Sequence, residues 1–306
     1  MKSRQGKIEE KIEIKKAYSK DFQKVIPVLV EAFGNDINSK EKYDQVAKKF
    51  EYLFNKNWNS VEEHVGYKLE KPNGEIVGFW ACIFSVRHIN DTPHKFCNFS
   101  TWTVKKNYRH CSLLLTKAVN DLKNYTFTIL SPDKTSIEVF TKLYKFKPLE
   151  KKLVFIPALP CIWQLEKSEF LFFSGKDTPP QNLKEEHKQL FKDHSKFNAH
   201  FFFIHKENDY CFLIIKRRKI KNLPFSYLYF MSNPGIFQKY ISQIRYTVNK
   251  QLKTFAIVSE SRNFRFGLPF LSFKKTLPRP FLFKSKDLSP EEIDGLYSEY
   301  FLIKNI

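Results

Sequence analysis

Phe22, Val25, Ile26, Leu29, Val30 and Phe33 recur at the spacing of one helical face, with Ser19 where an N-cap belongs. The chain therefore reads as a short strand at Ile12–Ile14 followed by an amphipathic helix that stops at Gly34. Tyr43, Val46, Phe50, Leu53 and Phe54 mark a second helix over about 40–55. The period then changes to two. Residues 64–86 hold two strands around Lys71-Pro72-Asn73-Gly74, where Asn73 and Gly74 supply the positive φ angles of a tight hairpin. A third strand covers 95–104, then come a helix over 108–122, a strand over 125–131, a helix over 136–146 and a strand over 149–158.

Beyond Pro157-Ala158-Leu159-Pro160 the pattern starts again, with a strand at 168–173, a helix at 181–194, a hairpin across 199–218 turning at Glu207–Asp209, and a strand at 225–231. Pro234 opens a helix over 234–252 with Phe237, Tyr240, Ile241, Ile244 and Val248 on one face, and 253–261 returns as a strand. The tail 287–302 reads as a closing helix with Ser289 as N-cap, Pro290 in the first position and Glu291 and Glu292 in the first turn. Hairpin, strand, helix, strand in both halves is a weak repeat of pattern. The expectation is an α/β (α+β) chain of two similar domains, 1–160 and 161–306, each a mixed, mostly antiparallel sheet flanked by helices.

At 306 residues and 42% hydrophobic content, each half can bury a core. The 52 Lys and Arg against 32 Asp and Glu, a formal +20, attract polyanions: RNA, an anionic membrane, or a phosphorylated cofactor or substrate. Charge does not choose among these, and a Lys, Asn, Ile and Phe bias also arises from an AT-rich coding sequence. The five cysteines never fall in CxxC spacing, so neither a metal site nor a disulfide framework is expected. With a charged start and no apolar run near ~18 residues, the reading is a cytoplasmic protein.

Residues 102–115, WTVKKNYRHCSLLL, concentrate the chemistry. A strand ending at Val104 that turns into a helix near Tyr108 leaves backbone amides at a helix start, and Lys105, Lys106 and Arg109 reinforce an anion site there. A solvated basic corner has the same composition.

This stretch and the order of elements resemble the GNAT superfamily of acyl-CoA-dependent N-acyltransferases. The family's strand-turn-helix reads V, x, P, x, Y, R, x, x, G, x, G and cradles the coenzyme A pyrophosphate; Val104, Tyr108 and Arg109 stand at matching positions. A later family segment, YEKLGFKPLE, is matched at Phe146, Pro148 and Leu149 of TKLYKFKPLE. The likeness spans about 12–157, and the second half resembles a degenerate second copy by pattern only. It implies an acetyl-CoA or other acyl-CoA cofactor held by Trp102, Thr103, Val104, Arg109, His110, Cys111, Ser112, Leu113 and Leu114. It also implies a primary amine acceptor on a small molecule or protein, admitted at the interdomain cleft. Departures stand beside the matches. Ser112 and Leu114 replace glycines that let backbone approach the pyrophosphate, and Lys106 replaces the usual proline.

Acyl transfer to an amine needs a deprotonated nitrogen held near the carbonyl and a donor for the oxyanion. Asn98 or Ser100, on the strand before the turn, are candidates to order a proton-relaying water. The family's frequent acid, a tyrosine, falls at Thr141, and Tyr144 one helical turn on is the substitute. His88, Asp91 and His94 form a titratable loop or, better, ordinary loop residues; Asp133 is an amine-orienting group or, better, part of a helix-start turn. Lys216–Lys221 reads as a polyanion patch or as a charged strand end. The phenylalanine clusters near 170 and 201 read as buried strands, and Ser232–Phe237 occupies the phosphate turn's place in the second half without its arginine. The alternative function is a non-catalytic GNAT-like protein holding RNA or an anionic membrane on its basic surface.

Overall fold

The computed structural model describes residues 11–33, 40–55, 58, 60–159, 170–206, 209–264 and 267–302. The chain divides into two compact units, residues 1–86 with 97–125 and residues 87–96 with 126–306.

In the first unit β1 (Glu13–Ala17), β2 (Gly66–Glu70), β3 (Ile76–Ile89) and β4 (Thr92–Val104) lie side by side in that order, with β1–β2 and β2–β3 antiparallel; the β3–β4 hairpin tip, residues 87–96, is counted with the second unit. Helix α1 (Phe22–Phe33) buries Val25, Ile26, Val28 and Leu29 completely, each worth roughly 1.5–3 kcal/mol of apolar burial. Helix α2 (Lys40–Phe50) turns the other way in composition, with only its Val46 and Phe50 edge inward. The hairpin between β2 and β3 forms as expected, but only Gly74 has a positive φ, of 81°. Its amide bonds to the Lys71 carbonyl, and the Lys71 amide to that of Glu75. The loop is thus a type I turn closed by a glycine rather than a two-residue turn. After β4 the expected helix over 108–122 is split into a 3₁₀ turn at Lys106–Cys111, a short α3 (Ser112–Thr116) and a second 3₁₀ turn at Lys117–Asn120.

The second unit contains β5 (Tyr125–Ile129, whose first residue is counted with the first unit), α4 (Lys134–Lys142), β6 (Lys147–Pro157), β7 (Phe170–Ser174) and α5 (Glu185–His194). There follow β8 (His200–Lys206), β9 (Asp209–Ile220), β10 (Leu223–Met231), α6 (Pro234–Lys239), α7 (Ile241–Leu252), β11 (Ala256–Glu260), β12 (Phe273–Lys284) and α8 (Glu299–Leu302). The strand order is β5-β12-β6-β11-β10-β9-β8-β7. Among the described residues of this unit only β10–β11 is parallel, and the two strands keep register at Ser226–Ile257 and Tyr227–Val258. The core beneath α6 and α7 gathers Phe202, Leu213, Ile215, Leu228, Ile244 and Val248.

The expected division at 160/161 falls outside the described residues. Strand β6, placed by the sequence in the first domain, pairs with β11 along one edge and β12 along the other. The sequence reading also missed β12, whose Pro278 and Pro280 argue against a strand. It accommodates them at an irregularity in its pairing with β6 between Thr276 and Phe281. The closing helix is a further correction. Ser289 and Glu292 do form a capping box, but the chain leaves helical geometry at Ile293 and only Glu299–Leu302 is helical again. Likewise the helix over 234–252 breaks at Tyr240. Ser19 does not cap α1; its hydroxyl donates to the Phe54 carbonyl, and Asp21 accepts from the Tyr18 amide instead.

Candidate active site

Strand β4 delivers the basic turn. The Lys105 amide donates to the Val77 carbonyl of β3 (2.8 Å) and so completes the ladder. The next amide, that of Lys106, turns away and donates to Glu31 Oε1 at the end of α1 (2.6 Å). A proline at this position, as in the family motif, has no such hydrogen; the lysine needs the acceptor that Glu31 provides. The Tyr108 amide bonds to the Lys105 carbonyl and that of Ser112 to Arg109. The 3₁₀ winding therefore takes up amides that an open helix start would leave to an anion. What faces solvent is side chain: the cationic Lys106 and Arg109, and with them His110, are exposed. Behind them the Lys105 ammonium is fixed on Glu75 (2.6 Å), and this bond holds the Glu75 carboxyl below the usual range. Lys71 also reaches Glu75 and lies over the Tyr108 ring.

The remaining candidates for this corner divide cleanly. Leu113 is 51% exposed, and neither it nor His110 packs into the turn. Trp102, Val104, Cys111, Ser112 and Leu114 are half-buried, and Thr103 is buried. Upstream on β4, Asn98 is buried and Ser100 half-buried. Thr141 and Tyr144 belong to the other unit. The Thr141 hydroxyl donates to the Ile137 carbonyl of its own helix (2.6 Å), and the Tyr144 ring leans on Phe140. Asp133 accepts from the Ser136 amide (2.7 Å) and is a helix cap.

The second unit has a comparable junction where β10 and β11 part, and it is closed. Asn233 caps α6 by accepting from the Ile236 amide, and no cation lies between Ser232 and Gln238. Lys216 and Arg218, inward-facing members of the basic run, donate to the Phe301 carbonyl, and Arg218 also to Tyr229 and the Tyr300 carbonyl. Arg262 donates to the carbonyls of Pro290 and Ile293. The segment 290–302 is thereby held down, with Ile293, Leu296 and Phe301 fully buried. A cavity of about 260 Å³ nearby is lined by Glu186, Glu291, Glu292 and Asp294 against Arg87, an acidic excess that repels a diphosphate. Arg87 pairs with Asp294, and burial lowers its pKa to about 10.

Solved structures share this architecture over most of the chain. They include a GCN5-related N-acetyltransferase from Kribbella flavida, at TM-score 0.55 and 8% identity over 90% of this chain and 71% of that one. Another, from Anabaena variabilis, has TM-score 0.53 and 7% identity over 89% and 72%. The chain has the GNAT fold. No protein-family model and no curated protein matches the sequence.

A group that sequence reasoning missed lies elsewhere in the first unit. Glu62 and His64 line a cavity of about 40 Å³, and the Tyr125 hydroxyl donates to Glu62. The stretch around them has no periodicity or motif, and Tyr125 joins it only through the fold, so no sequence signal marks the cluster.

Proposed function

We propose that the protein is an acyl-CoA-dependent N-acyltransferase that holds its cofactor in the first half only. The observation that supports this most is the exposed trio Lys106, Arg109 and His110 on the turn that follows β4 in a GNAT fold. In this reading Arg109 and Lys106 grip the diphosphate through charge-assisted bonds, doing with side chains what family glycines allow backbone amides to do. Ser112 adds a hydroxyl. The cofactor, when bound, supplies an activated acyl carbonyl. Along β4 the half-buried Ser100 and buried Asn98 are the polar groups that order the acceptor or a water beside it. The second half repeats the plan as a degenerate copy whose junction is closed by the 290–302 segment.

Thiol release from acetyl-CoA and a longer acyl-CoA, followed with a chromogenic disulfide across a panel of primary amines, tests the activity. Amine-dependent release that falls at least tenfold in Arg109→Ala is the expected outcome. Release independent of amine and of Arg109 contradicts it.

A further inference from the structure

His64 is 3% exposed, and its Nδ1 lies 3.1 Å from the carbonyl oxygen of Gly66. A carbonyl oxygen can only accept, so Nδ1 carries the proton and Nε2 of the neutral ring is a bare acceptor. Nε2 in turn lies 3.3 Å from Glu62 Oε2, a second acceptor. Among the described residues none donates a hydrogen bond to Nε2. Glu62 is held in place from its other side, where the Tyr125 hydroxyl donates to Oε1 (2.8 Å). The Lys16 ammonium stands 3.9 Å from Oε2, half-exposed and beyond good hydrogen-bond range. Tyr67 and Phe84 press the ring edge-on, and Cys82 lines the same cavity. Burial keeps the imidazole pKa below its ordinary value despite Glu62, with Lys16 pushing the same way.

Two acceptors that face each other in a partly enclosed cavity call for a donor between them. The donor must carry at least two N–H or O–H bonds, fit about 40 Å³, and is favoured if positive because one acceptor is a carboxylate. An –NH₃⁺ head meets all three conditions. We propose that Glu62 and His64 form the binding site for the ammonium group of a primary amine, with Nε2 of His64 as the atom that takes its proton. One N–H bond of the ammonium breaks and an Nε2–H bond forms; the positive charge passes from the amine to the imidazole, where Glu62 stabilises it.

The site's use as the acceptor end of an acyl transfer rests on the reading above, and its position suits that use. Ser19, just ahead of α1, lines the cavity, and Glu31 in the last turn of α1 touches the basic turn. That length of helix is roughly 18 Å. The free thiol of Cys97 on β4 is a neighbour of that of Cys82 on the cavity wall, and β4 climbs roughly 23 Å from there to Val104. Cavity and turn thus lie roughly 18–23 Å apart along α1 and β4, so an extended thioester gripped by its phosphates at the turn runs toward the amine at the cavity.

Ring ¹⁵N spectra of the full-length protein labelled at histidine, with His64 assigned from His64→Gln, test the site without activity. At pH 7 Nε2 of His64 is expected in the unprotonated range. Methylammonium is expected to shift it saturably, tetramethylammonium, which has no N–H, to leave it unmoved, and Glu62→Gln to weaken the methylammonium response about tenfold. A proton on Nε2, an equal response to tetramethylammonium, or no saturable response overturns the proposal. The tautomer and the contrast between the two cations need only the unmutated protein. A parallel acetyl-CoA titration separates the two failures: methylammonium binding without acetyl-CoA binding keeps the amine site and removes the transferase reading, and the reverse removes the amine site alone.

Discussion

Lys145 stands where the resembling motif has glycine, and it holds that residue's backbone, with φ of 59°. The left-handed conformation costs a side-chain-bearing residue roughly 1 kcal/mol. Lys145→Gly should therefore raise stability by about that amount in urea unfolding, and a loss of stability would show that the lysine side chain, not the backbone, decides the position. His187 carries a pH dependence. It is buried, its Nδ1 lies 2.6 Å from the Tyr210 hydroxyl, and burial, aided by Lys184 and Arg87, lowers its pKa to about 4. Below the unfolded value near 6.5 the unfolded chain takes up a proton that the folded one refuses. Stability should fall as pH drops from about 6.5 to 4, by roughly 3 kcal/mol from this residue. Urea midpoints across that range should slope less in His187→Gln; equal slopes would mean that the imidazole titrates normally. None of this is visible in a string of letters, because burial and a hydroxyl distant in sequence set the shift.

Elements with a clean period were legible and elements with a conflict were not. Strands β2, β3, β4, β9 and β10 follow from alternation, and the all-round apolar Phe201, Phe202 and Phe203 of β8 are buried as read. Strand β12 carries two prolines, so only its neighbours β5 and β6 reveal it. The closing segment has every helix-start signal, yet Arg262 takes the carbonyls of Pro290 and Ile293 that a helix would use, and Gly295 follows. Tertiary hydrogen bonds outweigh local propensity there. Arg262 also pairs with the buried Glu260, whose carboxyl pKa burial raises. Arg262→Ala leaves that carboxylate without its cation, a loss of about 3 kcal/mol, and frees the segment. Faster amide hydrogen exchange across 291–302, beyond the change elsewhere in the unit, is the expected mark; uniform protection would show that apolar burial alone holds it.

For the whole molecule, the order of elements together with the 102–115 stretch resembled the GNAT superfamily, and solved structures share the fold. Strand order escaped sequence reading. Nothing in residues 147–157 announces that they pair with two strands more than a hundred residues later. The candidate site was legible as a basic turn, but its 3₁₀ winding was not, because Glu31 and the short-range carbonyls that satisfy its amides are contributed by geometry. The first turn keeps exposed cations and the second junction is capped, acidic and covered, so the two halves should differ in kind. Glu31 sets the sign of a simple control: Glu31→Gln removes a negative charge beside the turn and should tighten anion binding a few-fold at low salt. Calorimetric titration of the full chain with acetyl-CoA measures the central claim most directly. One site per chain, weakened about tenfold by Arg109→Ala, is the predicted result; no heat, two equivalent sites, or indifference to Arg109 would contradict it.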